Sequence, residues 1–150
     1  MSMEKFDEII NFAIDRENEA AEFYRYMQDI AKFESQKELL KEYERMEESH
    51  ARALKTIKES KMDKMEVYYV ENLKISDYIV DKKPSAEMTY QDIIIIAMKR
   101  EEAAHRLYSN LAKTIGEPKI KKLFERLASE ELKHKLHFEK IYDDEFFEEN

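Results

Sequence analysis

Six polar residues interrupt the one stripe of this chain that should be apolar. Taken in steps of three and four, the sequence offers four such stripes. The first is Phe6, Ile10, Ala13, Glu17, Ala20, Tyr24, Met27 and Ala31, and the second is Leu40, Tyr43, Glu47, His50, Leu54 and Ile57. The third is Tyr90, Ile94, Ala97, Glu101, Ala104, Tyr108, Leu111 and Ile115, and the fourth is Ile120, Phe124, Leu127, Glu131, His134, Phe138 and Ile141. That spacing is the seam of a helix packed lengthwise against others. Every seam position is aliphatic or aromatic except Glu17, Glu47, His50, Glu101, Glu131 and His134. Each exception falls near the middle of its stripe, where burial is deepest. A carboxylate there loses its hydration at a cost that only a cation or strong hydrogen bonds offset. Four such groups in one core need a common explanation, and divalent metal is the simplest.

Composition supports long helices and narrows the chemistry. The 150 residues suit a single domain spanning 1–150, large enough for a genuine core. One Gly, two Pro and 40% charged residues describe helices with polar faces turned to water. No segment approaches the roughly 18 to 20 apolar residues of a membrane span. The run Ile93-Ile94-Ile95-Ile96 is therefore read as core. The opening Met-Ser-Met-Glu-Lys has no apolar signal region, so the expected location is cytoplasmic. Zero Cys excludes disulfides, thiol catalysis, a thiolate zinc site and a Cys-ligated iron centre. A net charge of −8 argues against nucleic acid, whose phosphates want a basic face. The eight Met suit gap-filling in the core, with only Met27 in a stripe.

Punctuation residues divide the chain. Ser2 is expected to cap a first helix running to about Phe33. Ser35 followed by Glu38 forms a capping-box pattern for a second helix over about 36–60. So short a link predicts an antiparallel hairpin. Thr89 with Asp92 resembles another cap, opening a third helix over about 90–115. Gly116 suits the position after a helix end and Pro118 the first turn of a fourth helix, about 118–142. The tail from Asp143 is expected to fray. Residues 61–88 are too many for a tight turn and too apolar for a free linker, so they are expected to form a crossover with short helical pieces. The fold class predicted is an all-α, antiparallel four-helix bundle with a long crossover.

The halves repeat. Glu17 and Glu101, Tyr24 and Tyr108, Glu47 and Glu131, and His50 and His134 are each 84 residues apart. Two hairpins related by a pseudo-twofold would bring the two Glu-x-x-His motifs face to face.

On a helix, residues three apart share a face, so Glu47 with His50, and Glu131 with His134, can each grip one metal. Glu17 and Glu101 come from the other two helices. One Glu from each of two helices plus Glu-x-x-His from each of the other two is the pattern of carboxylate dimetal sites in helical bundles. Four carboxylates and two neutral imidazoles sum to −4, which two divalent ions cancel. The competing explanation is a buried hydrogen-bonded network or solvated faces. Two copies in seam register, with matched partner glutamates, weigh against it. Mixed carboxylate and imidazole ligation suits iron or manganese, and also takes zinc.

The same residues carry a resemblance. Glu17 with Tyr24 (Glu-Asn-Glu-Ala-Ala-Glu-Phe-Tyr), Glu47-Glu48-Ser49-His50, Glu101 with Tyr108, and Glu131-Leu132-Lys133-His134 make the chain similar to the rubrerythrin branch of the ferritin-like diiron-carboxylate proteins. The resemblance spans all four helices. It implies a diiron centre that reacts with hydrogen peroxide or dioxygen. It also implies that Glu47 and Glu131 bridge the metals, that Glu17 and Glu101 are terminal ligands, and that each His binds one metal.

Two departures from that family are visible. Its typical members carry a Cys-rich rubredoxin module that feeds electrons, so a separate rubredoxin-like donor is expected here. They also place a further Glu three residues after the third-helix ligand, a position held here by Ala104. His105 is a candidate replacement. Tyr24 and Tyr108, two turns past Glu17 and Glu101, are candidates to hydrogen-bond a ligand carboxylate or supply an electron, with core packing as the alternative. His137 lies off the seam and is read as a surface or outlying group.

Three functions follow as expectations. The first is peroxide reduction by a diiron oxidoreductase, as in oxidative-stress defence. The second is ferroxidase chemistry for iron storage or detoxification, and the third is a binding protein pinned by metal. A homodimer is expected, with the crossover able to swap hairpins between chains. No nucleic-acid or membrane partner is expected.

Overall fold

The structure is a computed structural model that describes residues 3–60, 78–80, 85 and 87–146. Four long helices account for nearly all of them: α1 (Met3–Ile30), α2 (Glu34–Glu59), α3 (Tyr90–Thr114) and α4 (Pro118–Phe146). The chain divides into two compact units, Met1–Val67 and Tyr68–Asn150. Each contains one helical hairpin, α1 with α2 and α3 with α4.

Contacts along each hairpin show its sense. In the first unit Glu17 meets His50 and Tyr24 meets Tyr43. In the second, Gln91 meets Tyr142, Glu101 meets His134, His105 meets Ala128 and Tyr108 meets Phe124. Partner numbers fall on one helix as they rise on the other, so both hairpins are antiparallel.

Local chemistry explains most of the boundaries. Thr89 and Asp92 form the expected capping box, each side chain accepting from the other's backbone N–H at 3.1 Å. Pro118 opens α4 as expected, and Gly116 follows the C-cap Ile115. Glu117 adds a further cap: its Oε2 accepts from the Ile120 N–H at 2.9 Å, satisfying a first-turn donor of α4.

Three boundaries differ from expectation. Helix α1 stops at Ile30 rather than near Phe33. The capping box at Ser35 does not form, because α2 starts at Glu34 and its N-cap is Phe33, in extended conformation with no side-chain bond. Ser35 already lies within the first turn, where its helical backbone cannot present the hydroxyl as a cap does. Backbone bonds fill the gap, with Gln36 N and Lys37 N both donating to Phe33 O at 3.1 Å. At the far end α4 continues through Phe146, one turn past Tyr142. There the Phe146 ring lies 5.6 Å from Tyr142 and 6.2 Å from Tyr90, and Lys140 pairs with Asp144 at 3.0 Å. Those contacts hold a turn that an acidic tail alone would fray.

The Ser2 cap and most of the 61–88 crossover lie outside the described residues. Within the crossover Tyr78 is described, and it is buried. Its hydroxyl accepts from Asn110 Nδ2 at 2.7 Å, and the Arg106 guanidinium lies over its ring at 5.5 Å.

The seam residues form the core. Among them only Ala20, Tyr90, Ala104, Ile120 and Ile141 are less than fully buried. A second line joins them, including Ile9, Ile14, Phe23, Ile93, Ile96 and Leu107. The apolar face is thus the broad stripe of a globular helix rather than a narrow coiled-coil seam. Polar bonds tie each hairpin along its edges. Glu44 accepts from Arg25 Nε and Gln28 Nε2, both at 2.8 Å. In the second unit Lys135 pairs with Glu102 at 2.8 Å, and Lys121 Nζ donates to Ala112 O at 2.7 Å. No helix among the described residues is long and apolar enough to cross a membrane.

Candidate metal centre

All six polar seam residues are buried, each at 1–2% exposure. They form one trio in each unit.

In the first unit, α2 presents Glu47 and His50 one turn apart on its inner face, and α1 presents Glu17 opposite them. His50 Nδ1 stands 3.4 Å from Glu17 Oε2 and 3.8 Å from Glu47 Oε1. In the second unit, α4 presents Glu131 and His134, and α3 presents Glu101. His134 Nδ1 stands 3.5 Å from Glu101 Oε2. Within either trio one ligand atom of each residue lies within 4.8 Å of the others. The 84-residue repeat of the sequence is therefore a repeat of geometry.

These spacings suit a cation better than a hydrogen bond. A charge-assisted N–H···O bond is normally about 2.7 to 2.9 Å long. Two ligand atoms on one small cation, each about 2.0 to 2.2 Å from it, lie roughly 3 to 3.5 Å apart. Two carboxylates and one neutral imidazole carry −2, the charge that one divalent ion neutralises. A hard-oxygen and imidazole donor set suits iron, manganese or zinc. The residues present fit a bound metal in each unit.

The tyrosines are core residues in both halves. Tyr24 and Tyr108 are each 1% exposed. Tyr24 meets Tyr43 edge-on at 5.7 Å, whereas Tyr108 stacks on Phe124 at 6.2 Å.

His105 does not join the clusters of ligand atoms among the described residues. Its Nδ1 lies 2.8 Å from Ala128 O on α4. A carbonyl oxygen only accepts, so the proton is on Nδ1 and that nitrogen donates. Ala104 is half-buried and brings no donor atom to the extra-ligand position. His137 is half-buried on α4, its ring edge against Phe138 at 6.0 Å. Burial first, then the neighbouring His134 and Lys140, holds its pKa below the usual imidazole value.

Sequence reasoning missed the Glu44 cluster and the Ala128 carbonyl. Neither could have been found from the stripes, since Arg25, Gln28 and Glu44 lie off them and a backbone carbonyl has no residue signature.

Comparison with known proteins agrees with the site. A family model described as Rubrerythrin matches residues 8–142. Among solved structures, a hypothetical protein from Pyrococcus furiosus aligns with a TM-score of 0.73 and 27% identity, covering 95% of this chain and 92% of that one. No curated protein matches. The fold is accordingly the all-α, four-helix bundle of the ferritin-like class.

Proposed function

The chain belongs to the rubrerythrin family, and from that premise we propose that it is a non-haem diiron oxidoreductase. Its substrate is hydrogen peroxide, and its electrons come from a separate rubredoxin-like donor. The observation that supports this most is the duplicated trio, with an imidazole Nδ1 at 3.4 and 3.5 Å from a buried carboxylate in the two units.

In this reading Glu17, Glu47 and His50 hold one ion, and Glu101, Glu131 and His134 hold the other. A ferrous ion held in each trio would supply one electron, and the two electrons with two protons would reduce hydrogen peroxide to two waters. The remaining work belongs to the chain's own residues. The six site residues are themselves only 1–2% exposed, so bulk water is kept from the carboxylates, which would strengthen each ligand's electrostatic hold. Glu47 and His50 share one rigid turn of α2, as Glu131 and His134 share one of α4, so their donor atoms are positioned before metal arrives. Tyr24 and Tyr108, two turns past Glu17 and Glu101, would orient ligand carboxylates through their hydroxyls.

The test is anaerobic stopped-flow oxidation of the iron-loaded, reduced protein, with peroxide and dioxygen compared at equal concentration. Much faster oxidation by peroxide supports the reading. Comparable or faster oxidation by dioxygen replaces it with ferroxidase chemistry. Inertness to both reduces the metal to a structural pin.

A further inference from the structure

The two hairpins tie their helices together at one position of the 84-residue repeat, but with different chemistry. Glu44 on α2 and Ala128 on α4 are equivalent positions. In the first unit the Glu44 carboxylate takes Arg25 and Gln28 from α1. In the second unit alanine offers no side-chain acceptor. The backbone carbonyl takes over, accepting from His105 Nδ1 of α3 at 2.8 Å. His105 has only Ala21 as its counterpart, so this imidazole is an addition peculiar to the second half.

The link lies next to the second trio. His105 is one turn beyond Glu101 on α3, and Ala128 is one turn before Glu131 on α4. An imidazole is short and has two rotatable bonds, so a 2.8 Å bond from it defines the separation of two backbones. Two other polar links across this hairpin, Lys135 to Glu102 and Lys121 to Ala112 O, run through long, flexible lysine stems, and Gln91 to Tyr142 lies more than two turns from the trio. Metal ligands work only when held within about 0.5 Å of the productive geometry.

We infer that His105 is a positioning residue for the second metal half-site: through Ala128 O it sets the spacing of α3 and α4 at which Glu101, Glu131 and His134 grip one ion. The inference rests on the dimetal reading above. It gives His105 a role without making it a ligand, since among the described residues its ring does not join the clusters of ligand atoms that contain the two trios.

The experiment is an anaerobic titration of the full, metal-free chain with cobalt(II), read by visible absorbance for stoichiometry, affinity and ligand geometry. The unsubstituted chain is expected to bind two ions. His105→Ala should keep one site unchanged and weaken the other at least about tenfold, the usual scale for losing an outer partner, with an altered cobalt spectrum. His105→Asn should restore both, because its amide nitrogen sits where Nδ1 does, and circular dichroism checks folding. If His105→Ala fails to fold, His105→Asn against His105→Gln decides, since only Asn places a donor at the Nδ1 position. Full affinity and an unchanged spectrum in His105→Ala, or equal behaviour of Asn and Gln, would overturn the inference. Failure of the unsubstituted chain to bind cobalt at all would overturn the dimetal reading instead, and the inference with it.

Discussion

His50 Nδ1 stands 3.4 Å from Glu17 Oε2 across the α1–α2 hairpin, with both side chains almost wholly buried. His134 and Glu101 repeat the relationship at 3.5 Å across α3 and α4. Neither gap is a good hydrogen bond, and both match the separation of two ligands on one cation. A divalent ion in each trio would offset the cost of burying its two carboxylates. Four measurements follow from this and from the bonds that hold the hairpins.

Glu131→Ala removes one of the four buried carboxylates and leaves His134 and Glu101 as an incomplete set. The variant should lose the second ion while keeping the first, read by elemental analysis of dialysed protein. Two tightly held ions in this variant would refute the ligand assignment.

Metal should stabilise the fold by mass action. At a free concentration about 100 times Kd, each site adds about 2.7 kcal/mol, raising Tm by roughly 5 to 10 °C per site for a chain of this size. Calorimetry of chelator-treated and manganese-loaded protein reads this directly. An unchanged Tm at saturating manganese would count against both sites.

The Glu44 cluster should show in the pH dependence of stability. Burial pushes the Glu44 carboxyl up, but hydrogen bonds from Gln28 and Arg25, with the Arg25 charge, outweigh it and leave the pKa below normal. A carboxyl depressed in the folded state stabilises above its unfolded pKa, about 4.3, and that gain is lost as pH falls through the folded value. Glu44→Gln should therefore lower Tm by roughly 1 to 3 °C at pH 7, a modest loss because the Arg25 side chain is 62% exposed. The difference should close in acid, below about pH 4. A difference that persists there would assign the effect to packing.

Thr89→Ala deletes the side-chain half of the α3 capping box. The cost should be about 1 kcal/mol, a Tm loss of roughly 2 to 4 °C. Metal stoichiometry should stay at the unsubstituted value, because Thr89 lies three turns from Glu101. A changed stoichiometry would mean that the start of α3 reaches the site.

Much of this protein is written in short-range spacing. Glu47 and His50 share a face because three residues make almost one helical turn. Thr89 caps because Asp92 lies three residues on, and Pro118 starts a helix because it cannot sit in the middle of one. Helix number, the buried face and the six polar seam residues are all consequences of that local periodicity, legible in one dimension. Spacing failed at α2, where Ser35 and Glu38 have the capping pattern but the backbone turns into the helix at Glu34. It also failed beyond Tyr142, where rings from α3 and α4 hold a turn that local charge disfavours. Periodicity tells which face a residue occupies, but not which residue of another helix lies at the same height. Only the tertiary fold, by setting α1 against α2 and α3 against α4 in one register, placed Glu44 under Arg25 and Gln28 and His105 on the carbonyl of Ala128. Those bonds join groups from 16 to 23 residues apart, a range over which a helical period carries no information.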